Sequence, residues 1–287
     1  MMSRTSRWVW LAILGTVLLL RFVALGHTPL APDEAMSAMA SLDAARGNGW
    51  PLSTSSPLLL NGNALLFLLF GSGDSTARWI PALAGVALVG VPYLWRRRLG
   101  EVGSWTASGL LALSALALFA ARRVDGTLPG VLGAVLFLSC LILECDPDGL
   151  SQGMRAVLLG VGMVVGLLGG PAFYDVLLPG IVAFGFYLWM QRRPLRTLPL
   201  SDLWRPAVVG IALAVLSGAG FGLHGSGWSG IFEGLAAWLA SWRVTSQQGL
   251  ESLLVLALYE PATLLFAMVG LILAVKDRSP LHRMLAL

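Results

Sequence analysis

Charge is the scarcest ingredient of this chain. Of its 287 residues only 12% are charged, where a typical soluble domain carries about a quarter. With 56% apolar residues and a mean hydropathy of +0.78, that scarcity excludes a soluble enzyme and a disordered chain. Cysteine is nearly missing. Cys140 and Cys145 alone exclude a disulfide framework, and without a CxxC motif there is no cysteine-held metal or c-type haem. The net charge of +4 is small and dispersed, which excludes a nucleic-acid-binding domain and a nucleic-acid partner. No Walker or GxGxxG pattern sits in a βαβ context, and no internal repeat stands out.

What the sequence has in abundance is long apolar runs. A spanning helix needs about 20 mostly apolar residues. Eight segments qualify: 8–26, 79–95, 102–121, 127–144, 154–171, 172–190, 206–223 and 252–275. The first is too long for a cleavable signal and is followed by no small-residue cleavage site. A ninth run, PLLLNGNALLFLLF at 57–70, is short and carries Asn61 and Asn63. Charge decides its place. If 57–70 dips in from the outer face without crossing, Arg4, Arg7, Arg96, Arg97, Arg98, Arg192 and Arg193 all fall inside, as the positive-inside rule favours. The expected fold class is therefore all-α. It is a polytopic helical membrane protein with about eight transmembrane helices and outer-face amphipathic or re-entrant helices. Residues 1–287 are expected to form one membrane module with both termini cytoplasmic.

The outer face then receives two long segments, 27–78 and 224–251, and long loops on one side are a usual seat of function. In the first, the run after Pro32 reads as a helix with Asp33 as its N-cap. In the second, WSGIFEGLAAWLASW places Trp228, Phe232, Leu235, Trp238 and Trp242 on one stripe, an amphipathic helix in the outer interface. Its tryptophans read equally well as a membrane-anchor belt. Gly162, Gly166 and Gly170 recur every four residues, the spacing that lets helices approach closely.

Charges near membrane depth are costly, so each one on the outer face is a candidate for function. Asp33 and Glu34 are the only adjacent acidic pair. Such carboxylates can deprotonate a hydroxyl or hold a divalent cation; the plainer reading is a helix cap in a solvated turn. Arg122, Arg123 and Asp125 close the third span. Two guanidinium groups there suit a lipid phosphate, or they answer the helix dipole and snorkel to headgroups. Arg78 has the same two readings, and Arg21 is expected to snorkel outward or to pair. His27 and His224 are read as hydrogen-bonded structural residues rather than metal ligands. Glu260 sits in the last span with Tyr259 as its expected partner, and Gln247 precedes that span; these three, with His27 and Asp125, are candidates to line the outer cavity.

In chain order come a span, APDEA at 31–35, the stretch from Pro57 to Gly100 containing LFG-x-x-D-x-x-AR, and SALALFAARRVDG at 114–126. This order resembles the GT-C membrane glycosyltransferases of the protein O-mannosyltransferase and aminoarabinose-transferase type. GWSGIFEGLAAWLASW (227–242) and LALYEPATLLFAMVGL (256–271) look closest to the branch of flippase-activity-associated membrane proteins. The resemblance implies the plasma (inner) membrane of a prokaryote and transfer of a sugar from a polyprenyl-phosphate-linked donor to an acceptor at the non-cytoplasmic face. It places the catalytic acid on Asp33, with Glu34 beside it, and the donor phosphate on Arg122, Arg123 and Arg78. Three departures leave a second reading, a non-catalytic subunit of a larger membrane complex. Ser55, Ser56 and Pro57 stand where relatives have a His, Lys or Tyr, and Met36 and Ser37 follow the DEA run in place of an aromatic. The chain also ends at Leu287, just past the eighth expected span.

Overall fold

The computed structural model describes residues 4–51, 56–143, 151–190, 200–218, 227–242 and 246–276. Within them every regular element is helical. In chain order these are α1 (Arg4–Phe22), α2 (Pro32–Arg46), α3 (Pro57–Phe70), α4 (Asp74–Ala77), α5 (Trp79–Gly90) and α6 (Arg96–Leu113). Then follow α7 (Ala115–Ala121), α8 (Thr127–Leu143), α9 (Gln152–Gly169), α10 (Ala172–Met190) and α11 (Leu200–Gly218). Last come α12 (Gly227–Ser241), α13 (Ser246–Tyr259) and α14 (Pro261–Lys276).

Two of these helices, α9 and α10, are long and apolar enough to cross a membrane, and α6 with α7 makes a third if that pair, bent by 59°, is one span. Side chains that water would reject lie on the outside of the fold. Trp8, Leu11 and Leu19 are exposed on α1, as are Val182 and Trp189 on α10. Large apolar side chains exposed in this number mark surfaces that meet lipid or other protein.

The helices pack through glycine. A Cβ built on Gly133 of α8 would lie 2.3 Å from the backbone of Gly166 on α9, and one on Gly169 would lie 2.5 Å from the backbone nitrogen of Gly130. The helical spacing of Gly162 and Gly166 thus serves close packing, whereas Gly170, at φ +118°, makes the turn into α10. Gly133→Leu is expected to force α8 and α9 apart and to lower the thermal midpoint in detergent, a cost of about 1–3 kcal/mol or more. Gly109→Ala, where a Cβ meets open space, should leave the midpoint unchanged.

Two expected spans are broken. The third is interrupted at Ser114, whose hydroxyl accepts from the Ala117 amide and starts α7. The last is interrupted at Glu260, ahead of Pro261, whose ring cannot continue a helix from the preceding turn. The two breaks meet. Glu260 Oε1 accepts from the Ser114 hydroxyl and, at 2.9 Å, from the Leu116 amide, while Oε2 accepts from Thr263 Oγ1 at 2.7 Å. Glu260 is buried with these partners and Tyr259 is exposed, so the expected Tyr259–Glu260 pairing gives way to a carboxylate that caps a kink. Arg21 does not snorkel either. It is fully buried against Gly85 and donates to the Leu111 carbonyl at 3.3 Å.

Hydrogen bonds gather the loops at two ends of the helix array. At one end, Arg98 donates to the Ile142 carbonyl at 2.6 Å and the Trp95 indole donates to Ser139 Oγ at 2.9 Å. At the other end α3 is held between distant neighbours. Asn61 donates to the carbonyls of Ser217 and Gly218 that close α11, Asn63 donates to the Ala77 carbonyl, and Ser56 donates to the Leu168 carbonyl. With 14 residues, α3 is about 21 Å long, short of a hydrocarbon core of about 30 Å. At this end α2, α3, α12 and the turn at 122–126 enclose the candidate site.

Candidate functional site

The site grows from one buried carboxylate. Glu34 lies in the first turn of α2, where its Oε2 accepts from the Ala31 amide at 2.8 Å and closes the helix start. Ala31 is the N-cap, so Asp33 does not take that role. The same Oε2 accepts from Arg78 Nη2 at 3.0 Å, both side chains being 4% exposed. Arg78 also donates to the carbonyls of Leu25, Thr28 and Pro29 at 2.8–3.3 Å, which ties the start of α5 to the turn after α1. The other oxygen, Glu34 Oε1, accepts from the Val124 amide at 2.8 Å. Burial by itself would raise the Glu34 carboxyl. The amides of Ala31 and Val124 and the Arg78 guanidinium outweigh it and hold the group below the ordinary carboxylate range.

Val124 stands in the turn between α7 and α8, and its neighbours are clamped in the same way. Arg122 donates to the Leu20 carbonyl at 3.1 Å and to the Ala24 carbonyl at 2.8 Å, closing the end of α1. Asp125 Oδ1 accepts from the Thr127 amide at 2.9 Å and opens α8. Gly126 presses so close to the Gly169 carbonyl that no side chain fits between them. The turn is thus tied to α1 by Arg122, to α2 by the Val124 amide and to the end of α9 by Gly126, and it carries Arg123 and Asp125.

Arg123 forms an ion pair with Asp33, with side-chain exposures of 33% and 64%. Asp33 and Asp125 both face a cavity of about 630 Å³, within the range of small-ligand sites, about 300–1,000 Å³. Ser37 of α2, Ser56 before α3 and Glu233 of α12 complete its polar wall, with Met36, Leu59, Leu60 and Val124 supplying apolar floor. Burial pushes the Asp125 carboxyl above the usual range, against the bonds from Thr127 and the charge of Arg123, and the nearby charge of Glu34 adds to the rise.

The structure therefore separates the expected site residues. Asp33, Asp125 and, through its ion pair, Arg123 meet at the cavity. Glu34, Arg78 and Arg122 lie behind it, and their contacts with backbone carbonyls, amides and each other fix the turn. Asp33 and Glu34 are adjacent but pair with different arginines, Arg123 and Arg78. Among the described residues no group of three or more His, Cys, Asp and Glu gathers at one point. His27 is exposed, and its amide closes a turn on the Ala24 carbonyl. Tyr259 and Glu260 are at the kink described above, and the side chain of Gln247, like residue 224, lies outside the described residues. Glu233 had no role from sequence, and Ser37 and Ser56 entered only as departures from the family pattern. The signal for Glu233 was there, as the one acidic residue in the otherwise apolar helix 227–241. Trp238 of the same helix donates its indole N–H to Asp175 Oδ1 at 2.9 Å and so anchors α12 over the site by a definite bond.

No family model, no curated protein and no solved structure matches this chain.

Proposed function

We propose that the protein is a membrane glycosyltransferase-like enzyme, moving a sugar from a polyprenyl-phosphate donor to an acceptor hydroxyl at the non-cytoplasmic face. One observation carries this reading: Asp33 and Asp125 share a cavity with Arg123 at its edge, at the end of the helix array opposite the basic cluster. That other end holds Arg96, Arg97 and Arg98 beside the close of α8, and Arg155 and Arg205 at the starts of α9 and α11. The positive-inside rule turns it to the cytoplasm. The cavity then opens outward, in the eight-span topology with both termini cytoplasmic, in a prokaryotic plasma membrane.

The chemistry follows from the ion pair. Arg123 is only partly covered, and an incoming phosphate can take its guanidinium from Asp33 in bidentate geometry. Asp33, relieved of its partner, accepts the proton of the acceptor hydroxyl. The hydroxyl oxygen bonds to the anomeric carbon, the bond from that carbon to phosphate oxygen breaks, and the phosphate leaves with the electron pair, held by Arg123. A single displacement inverts the anomeric carbon. Asp125 and Glu233 face the same space and orient the acceptor. Apolar Met36, Leu59 and Leu60 suit the first units of the polyprenyl chain.

The test is transfer by the purified full chain in vesicles supplied with polyprenyl-phosphate sugars and a panel of hydroxyl acceptors, read as release of polyprenyl phosphate. A second reading has its own observation. Glu34, Arg78 and Arg122 all serve the fold, which is what a degenerate transferase retained as a subunit of a larger membrane complex would keep. Silence in every transfer assay, together with stoichiometric partner chains on purification from native membranes, supports that subunit. The topology has a separate check. Cysteines placed at residues 40 and 237 are expected to react with a membrane-impermeant maleimide from outside, and one at 97 only after lysis. Labelling of residue 97 in intact cells overturns the orientation.

A further inference from the structure

A second cavity lies at the other end of the molecule. It is a groove of about 820 Å³ between α9 and α11, running from Gln152 to Val165 along α9 and from Arg205 to Leu213 along α11. The fourteen helical residues from 152 to 165 make it about 20 Å long. The helices can lie this close because they cross at glycine: a Cβ on Gly210 would meet the Gly160 carbonyl oxygen at 3.0 Å. The lining is graded. Arg155 and Arg205, the two charged residues among its described lining, stand at the end where both helices begin, and Val164, Val165 and Leu213 line the far end.

We propose that this groove is a binding site for one anionic phospholipid, its phosphate between Arg155 and Arg205 and an acyl chain laid along the valines. Charge complementarity argues for the occupant. Two guanidinium groups at one end of a long apolar trough match a molecule with a phosphate head and a hydrocarbon tail, and basic pockets between membrane helices on the cytoplasmic side are where such heads bind. α9 is itself long and apolar enough to cross a membrane, so the trough lies at the depth an acyl chain occupies. The site is separate from the cavity at Asp33 and does not depend on the transferase reading.

Native mass spectrometry of the delipidated full chain, offered equal amounts of phosphatidylglycerol and phosphatidylcholine, tests the proposal. The expected result is retention of a single phosphatidylglycerol, favoured about tenfold or more over phosphatidylcholine and undiminished by added inorganic phosphate. Arg155→Gln with Arg205→Gln should bring phosphatidylglycerol down to the phosphatidylcholine level. Ala156→Trp keeps both arginines and fills the trough, and it should reduce retention of both lipids. Equal retention of the two lipids by the unaltered chain overturns the proposal, and that result needs no variant to fold. Displacement by inorganic phosphate alone overturns it in favour of a simple anion site. A dimer that Ala156→Trp disperses overturns it in favour of a second copy in the groove.

Discussion

Breaking the Glu34–Arg78 pair is expected to remove about 3–5 kcal/mol of stability from either side, because the partner left behind is a buried, unbalanced charge. Arg78→Met would leave the Glu34 carboxylate at 4% exposure with two amides only. Glu34→Gln would leave the Arg78 guanidinium among carbonyls. The double variant should lose much less than the sum, and the difference is the coupling that thermal unfolding in detergent would read. Acidity adds a second handle. The Glu34 carboxyl is held below its ordinary value in the folded chain, so its contribution is complete above the unfolded value of about 4.3 and is lost as pH falls through the folded one. The acid side of the stability curve should therefore be shallower in Glu34→Gln than in the unaltered chain. An equal slope in both would mean that Glu34 is not the group being protonated.

Asp33→Asn is expected to lower sugar transfer by about 10²–10⁴-fold, the usual worth of a positioned general base, while leaving the unfolding midpoint nearly unchanged. The side chain is 64% exposed and its one ion pair lies at the surface, so little of the fold rests on it. Arg123→Ala should instead raise the KM for the donor, since it takes away the phosphate contact. Arg122→Ala is the internal contrast. Arg122 closes the end of α1, so its loss should be felt in stability before it is felt in transfer. Full turnover by Asp33→Asn would remove Asp33 from the mechanism, and equal defects from Arg122 and Arg123 would dissolve the division between clamp and site.

These contrasts also show where sequence reading reaches its limit. The short helix at 57–70 and the amphipathic helix near 227–242 were legible, since each is written in local apolar pattern bounded by Pro or Gly. The break at Pro261 had its signal in the proline. The break at Ser114 did not. A serine inside an apolar run reads as tolerated, and the carboxylate that makes it a helix start lies at Glu260, 146 positions away. The same distance problem divides the site. Asp33 and Glu34 are equivalent on paper, yet one turns to Arg123 and the other to Arg78 and Val124. Local spacing could place the acidic pair after the first span and the arginines at the end of the third. It could not tell which arginine faces the cavity and which holds the backbone, because that depends on how α1, α2 and α5 converge.

The kink at Ser114 has a consequence for the order in which the molecule is made. Until residue 260 has left the ribosome, the first amides of α7 have no carboxylate to receive them, and a polar break waits unsealed in the middle of an apolar stretch. Truncation ahead of Glu260 would leave the start of α7 without this acceptor, and the shortened chain is expected to give a lower yield of folded protein than the full one.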